Sequence, residues 1–335
     1  MERAVVHSDL NKREIQPQSL LLKYQDLLAE DILKLILPLS LEESSCPVSG
    51  ERSVKNSFSK MGMFYRVSKT MENIYLSPRP DMETLRLFYS KSIAREFWLK
   101  ELWPKTKNIR IQKIILPQLD WVENFISQFG LKKKLEIAEF LPNHWGYYKE
   151  VNKKFSSIKY NLVEPLFNIE EDKNIFGECL LSDDIINNSF DIALLFESLD
   201  RSPEPANLLQ IVKEGLKPGG LCFITCLLSS GFEVQSLGEK SEVFVPPERM
   251  NLFSFEGLQT LLDNIGGFEV IEFSTPGVLD IPNVIDKLNY IEVHPFFNYI
   301  LRDRKDPSLV QSFQDFLQIN RLGTFGRLVL KKLNN

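Results

Sequence analysis

The stretch FDIALLFESLDRSPEPANLLQIVKEGLKPGGLCFIT, residues 190–225, decides the fold. Its apolar run from Ile192 to Phe196 reads as a strand buried on both faces. Leu208, Leu209, Val212 and Leu216 then recur at helical spacing and mark the core face of a helix. Lys217-Pro218-Gly219-Gly220 suits a type II turn, because Pro presets φ and Gly supplies the positive φ at the third position. The turn feeds a second apolar strand, Leu221 to Thr225. Strand, helix and strand make a βαβ crossover, which requires the two strands to run parallel. In such folds ligands bind outside the carboxyl ends of the strands, so the polar residues that close the first strand mark a candidate site.

The same alternation continues on both sides. Strands are expected at 134–140, 159–163, 190–196, 221–227, 267–273 and 325–331, and helices around 144–155, 204–216, 254–265 and 307–319. Alternating elements of this kind predict an α/β fold with a mostly parallel sheet covered on both faces. Ahead of it the chain divides into a helical extension (1–42), a hairpin segment (43–80) and a helical cover (81–130). The α/β domain is assigned to 131–335. In the extension, Leu20, Tyr24, Leu27, Leu28, Ile32, Leu35 and Ile36 trace one apolar helical face that stops before Pro38. That face serves either the body of the protein or a partner protein.

Composition excludes several classes. With 43% hydrophobic and 25% charged residues, the 335-residue chain can bury a proper core. A net charge of −5 argues against bulk nucleic-acid binding, and Lys132-Lys133-Lys134, the densest basic run, reads as a solvated strand entry. No apolar run approaches the roughly 18 residues of a membrane span, and the first residues carry no signal-peptide core. A cytoplasmic protein is expected. Four cysteines in a chain of this size do not make a disulfide framework, and Cys222 and Cys226 share one face of an apolar strand as small buried hydrophobes.

The FD…LKPGG unit resembles the central part of class I S-adenosylmethionine (SAM)-dependent methyltransferases. Downstream, SGF, LGEKS, PPE-x-x-N, FSFEGLQTLL and STPGxLD, between Ser230 and Asp280, are similar to a bacterial group within that class whose members often accompany genes for surface polysaccharides or modified sugars. The resemblance runs from about residue 43 to the C-terminus. It implies a Rossmann-like seven-stranded sheet with an antiparallel last strand, for which Gly326 to Lys332 is placed. It also implies SAM as cofactor and a small, hydroxylated or sugar-linked acceptor. In that group a small zinc ribbon precedes the domain. Here Cys46 remains, but Ser49, Val67 and Thr70 stand at the other three ligand positions. Structural zinc takes four Cys or His ligands, so a metal-free hairpin is expected.

Methyl transfer is an in-line displacement, in which the protein positions the reactants and, where needed, deprotonates the acceptor. On the cofactor side the resemblance assigns Glu136 to the acidic position of the first strand. Glu164, at the end of YNLVE, takes the ribose hydroxyls, Asp183 and Asp184 the adenine side, and Phe196 the pocket wall. Glu197, Pro247, Glu248 and Asn251 fall on the acceptor side. The glycine-rich turn after the first strand is the point of departure. LEIAEFLPNHWG puts Ala138, Phe140 and Pro142 where glycines would stand, and neither Phe nor Pro both reaches φ > 0 and leaves room for a ligand. His144, inside this altered turn, is the candidate ionisable group, beside its structural reading. Three functions remain: a SAM-dependent methyltransferase of small metabolites, a catalytically inactive scaffold or regulatory partner built on the same fold, or a protein whose pocket is reused for a different ligand.

Overall fold

The protein is described by a computed structural model, covering residues 5–131, 134–155, 158–167, 179–180, 184–290, 293–304 and 306–334. In chain order its strands are β1 (Val54–Lys60), β2 (Met63–Ser68), β3 (Ile74–Leu76), β4 (Leu135–Phe140), β5 (Ile158–Val163) and β6 (Cys179–Leu180). After them come β7 (Phe190–Phe196), β8 (Leu216–Leu227), β9 (Asn251–Leu252), β10 (Phe268–Ser274) and β11 (Phe325–Lys332). Seven of them form the main sheet in the order β10-β11-β8-β7-β4-β5-β6. From β6 to β8 the pairs are parallel, whereas β11 runs antiparallel to both β8 and β10. This is the α/β architecture expected from the sequence, a mostly parallel seven-stranded sheet with its last strand antiparallel.

Period-two alternation sorts the sheet residues into two cores. Ala138, Phe140, Ala193, Leu195, Cys222, Ile224 and Cys226 pack against the crossover helix Pro205–Gly215 and its neighbour Phe255–Ile265. Ile137, Ile192, Leu194, Phe196 and Phe223 face the helices Leu116–Gln128 and Gly146–Lys154. Where a type II turn was expected, residues 217–220 belong to β8 as an irregularity in its pairing with β7, with Gly219 at φ +77° as its residue type allows.

A second sheet, β1-β2-β3-β9, lies beside the first, and β9 ties the hairpin segment to the loop after β8. Its core is shared with the helix Gln18–Leu35, through Tyr24, Leu28 and Ile32, and with the helix Met82–Lys91, through Leu85, Phe88 and Tyr89. The N-terminal helix therefore spends its apolar face on the body of its own chain. Cys46 is buried and accepts a hydrogen bond from the Asn73 amide at 3.7 Å. Among the described residues no group of three or more His, Cys, Asp or Glu could hold a metal ion, and no helix is long and apolar enough to cross a membrane.

The helical run Ile93–Gln128 arches over the carboxyl ends of the strands and is interrupted by two π-helical turns, Trp98–Leu102 and Ile111–Ile115. Each turn lies just ahead of a proline, Pro104 or Pro117, whose missing N–H breaks the regular ladder. The result aims Trp98, Arg110, Ile114 and Gln118 down toward the sheet, where they line a cavity.

Candidate functional site

A cavity of about 450 Å³ lies over the carboxyl ends of β7 and β8. That is within the usual range for small-molecule sites. Glu197, Thr225 and Leu227 form its floor, and Trp98, Arg110 and Gln118 its roof. The N-terminal segment contributes Leu10, Ile15 and Tyr24, and the segment after β10 contributes Gly277 and Asp280. Chain regions far apart in sequence thus close around one space.

The floor is organised by Arg249. Its guanidinium donates to Asp200 at 2.8 Å and to Glu197 at 2.6 Å, and Arg201 adds a second cation 3.7 Å from Glu197. Burial works against the charge on Glu197, but Arg249 and Arg201 outweigh it and hold its carboxyl below the usual range. Asp200, fully buried, goes the other way. Burial pushes it up to about 7 although Arg249 opposes the rise. Glu197 itself sits at φ +57°, which turns the chain sharply off β7 and presents its side chain at the strand end.

His144 lies against an aromatic wall, stacked on Trp98 at 5.8 Å and on Tyr147 at 5.6 Å. Its Nδ1 accepts the Gly146 N–H at 3.0 Å. Burial, reinforced by the cations Arg95, Arg110 and Arg201, pushes its pKa down to about 3. The ring is therefore neutral, with its acceptor nitrogen engaged and its proton on Nε2. In this tautomer the ring's donor is Nε2–H, on a residue that lines the cavity.

The methyl-donor side differs. β4 runs on to Phe140, and Leu141 makes the turn at φ +48° with its N–H on the Val163 carbonyl at 2.8 Å. The Pro142 carbonyl then accepts the Leu166 N–H, also at 2.8 Å. Two backbone bonds thus zip the turn after β4 onto the segment after β5, and Leu141 and Leu166 are both buried there. The Ser198 hydroxyl donates to the Phe140 carbonyl at 2.6 Å. Arg201 donates to the carbonyls of Leu141 and Phe196, across the open ends of β4 and β7.

Glu164 stands at the end of β5, buried and at φ +51°, where a ribose-binding acid is expected, but its carboxylate is paired with Arg86. The altered turn thus lies along the segment after β5, and the carboxylate beside it is engaged by a cation.

Of the residues expected to form the site, Glu197, Glu248 and His144 meet in the cavity. Tyr24 donates to Glu248 at 2.7 Å. Glu136 does not join them: it is the second residue of β4, at the opposite end of the sheet, near Lys217 at 3.7 Å. The strand runs to Phe140 as expected, so a residue at its second position lies away from the carboxyl ends where the cavity opens. Asn251 is also elsewhere, buried with its amide donating to Leu199 and Ser202 carbonyls at 2.9 and 2.8 Å, a structural staple.

Pro247, second residue of a cis Pro246–Pro247 bond, is buried outside the cavity lining. Phe196 packs on the Tyr147 ring at 4.6 Å and contributes its carbonyl rather than a pocket wall. Asp184 is exposed, and Asp183 lies outside the described residues. Sequence reasoning missed Arg95, Arg249 and Tyr24. A cation three residues before Trp98 on one helical face was the available signal for Arg95.

Residues 121–272 match the family model described as methyltransferase domain. No curated protein sequence matches the chain. Among solved structures, a Haemonchus contortus phosphoethanolamine N-methyltransferase 2 in complex with SAM is similar at 18% identity. The match covers 64% of this chain and 53% of that one, with a TM-score of 0.40. Coclaurine N-methyltransferase shares 14% identity over 64% and 72% of the two chains, with a TM-score of 0.38. The [4+2]-cyclase SpnF shares 14% over 64% and 82%, with a TM-score of 0.40.

Proposed function

We propose that the protein is a SAM-dependent methyltransferase of small molecules, with the acceptor held in the cavity over β7 and β8. The class rests on the methyltransferase domain at 121–272 and on the strand order of the sheet. The observation that carries the site is the cavity itself, which opens at the carboxyl ends of the strands with Glu197 at its floor. Its lining mixes amides (Gln16, Gln25, Gln118, Asn143 and Asn283) with apolar walls, a combination that supports a hydroxylated acceptor, sugar-linked ones included. For Glu164 to receive the ribose hydroxyls, its carboxylate has to exchange Arg86 for them.

The loss of the glycines after β4 and the pairing of Glu164 with Arg86 favour a second reading, a methyltransferase-fold protein that binds its small molecule without methylating it. Calorimetric titration with SAM and with S-adenosylhomocysteine separates the two. Micromolar binding supports the enzyme. Absence of binding in folded protein, in the wild type and in Arg86→Ala alike, supports the second reading and sinks the first.

A further inference from the structure

Arg95 is a buried cation whose guanidinium is only partly satisfied by the protein. Its side chain is 4% exposed, lines the cavity, and leaves both Nε and Nη2 without a hydrogen-bond partner. It forms no ion pair among the described residues, although Glu248 lies near enough to favour its charge. What it does contact is aromatic: the guanidinium lies over the Trp98 ring at 4.6 Å and near Tyr89 at 5.7 Å.

A fold does not bury a guanidinium fork unpaired unless something else satisfies it, because the desolvated donors would go unpaired. The other cavity cations are engaged. Arg249 is held by Glu197 and Asp200, Lys12 by Glu242, and Arg110 by Thr106 and the Ile15 carbonyl. His144 adds a donor on the same wall, since its Nδ1 is occupied and its Nε2 carries the proton.

We infer that Arg95 is the anchor for an oxyanion, a carboxylate or phosphate group on the small molecule that occupies the cavity, with His144 Nε2 as the accompanying donor and Trp98 as the platform for the ligand's body. Planar guanidinium pairs bidentately with such groups, and an aromatic floor under the fork orients it. This rests on the cavity being the ligand site. It narrows the ligand from any hydroxylated molecule to an anionic one.

The probes are phenyl phosphate, benzoate and the neutral benzyl alcohol, followed by Trp fluorescence and calorimetry on the full chain. The expected result is that phenyl phosphate or benzoate binds the wild type, quenches Trp98, and binds Arg95→Met at least about thirty-fold more weakly, the loss of two charge-assisted hydrogen bonds. Which of the two anions binds more tightly distinguishes phosphate from carboxylate. Arg95→Met should melt no lower than the wild type, because it removes an unpaired buried charge. Arg95→Lys should restore part of the affinity but not the bidentate geometry. If benzyl alcohol binds as well as the anions and Arg95→Met binds all three unchanged, the oxyanion assignment is overturned while the cavity stands as the site. If none of the probes binds either protein, the assignment and the cavity reading fall together.

Discussion

Glu139 offers a quantitative test of how the altered turn is built. It is 3% exposed, on the face of β4 that turns toward Tyr160, whose hydroxyl donates to its carboxylate at 2.7 Å. Burial pushes its pKa up to about 7, against the opposing pull of Tyr160 and Arg201. From the ordinary 4.5, the rise is about 2.5 units (7 − 4.5), which at about 1.4 kcal/mol per unit is about 3 kcal/mol. The sign follows from which state holds the proton. The folded carboxyl keeps it up to about pH 7, while the unfolded chain releases it above about 4.5. Its contribution is therefore fully present below pH 4.5 and is lost as pH rises through 7.

Glu139→Gln keeps an oxygen for the Tyr160 hydroxyl and carries no charge. The variant should equal the wild type near pH 4 and exceed it by about 3 kcal/mol at pH 8, measured by urea unfolding across that range. A gap between the two proteins that stays constant from pH 4.5 to 8 would refute the burial argument. So would a wild type that is the more stable at pH 8.

Arg86→Ala should release Glu164 from that ion pair and raise SAM or S-adenosylhomocysteine affinity about tenfold in a calorimetric titration; no change means that Glu164 does not receive the ribose. Asn251→Ala removes two donors from buried carbonyls and should lower stability by about 2–4 kcal/mol with ligand affinity in the cavity unchanged, so a selective loss of binding would restore Asn251 to the site. At Gly231 an added Cβ would lie 2.3 Å from the Thr324 Cα, a backbone atom that cannot step aside. Gly231→Ala should therefore lower the melting temperature markedly, and a variant as stable as the wild type would contradict the packing there.

The two kinds of information divide along a physical line. Local patterns are read from local residues. The run Ile192–Phe196, the face Leu208–Leu209–Val212 and the Pro-Gly-Gly turn specify a βαβ unit without reference to anything distant. β7 and the helices after it accordingly appear where they were expected. Glu164 and Glu197 could be singled out for the same reason, since each closes an apolar run.

What periodicity does not encode is where a strand stops and what its end meets. The strand itself was legible at 134–140, but the resemblance carried Glu136 to the cofactor side on motif position alone, and its place near the start of β4, beside Lys217, is set by the neighbouring strands. Asn251 became a staple because its carbonyl partners, Leu199 and Ser202, lie some fifty residues away. The wall of Arg95, Trp98 and His144 joins a helix to a turn that no local pattern connects. Residue identities fixed the sheet and its hydrophobic faces. Tertiary packing alone decided that Glu164 pairs with Arg86, that a cavity opens over β7 and β8, and that a buried arginine faces it, because each depends on contacts whose cost and gain are set between elements rather than within them.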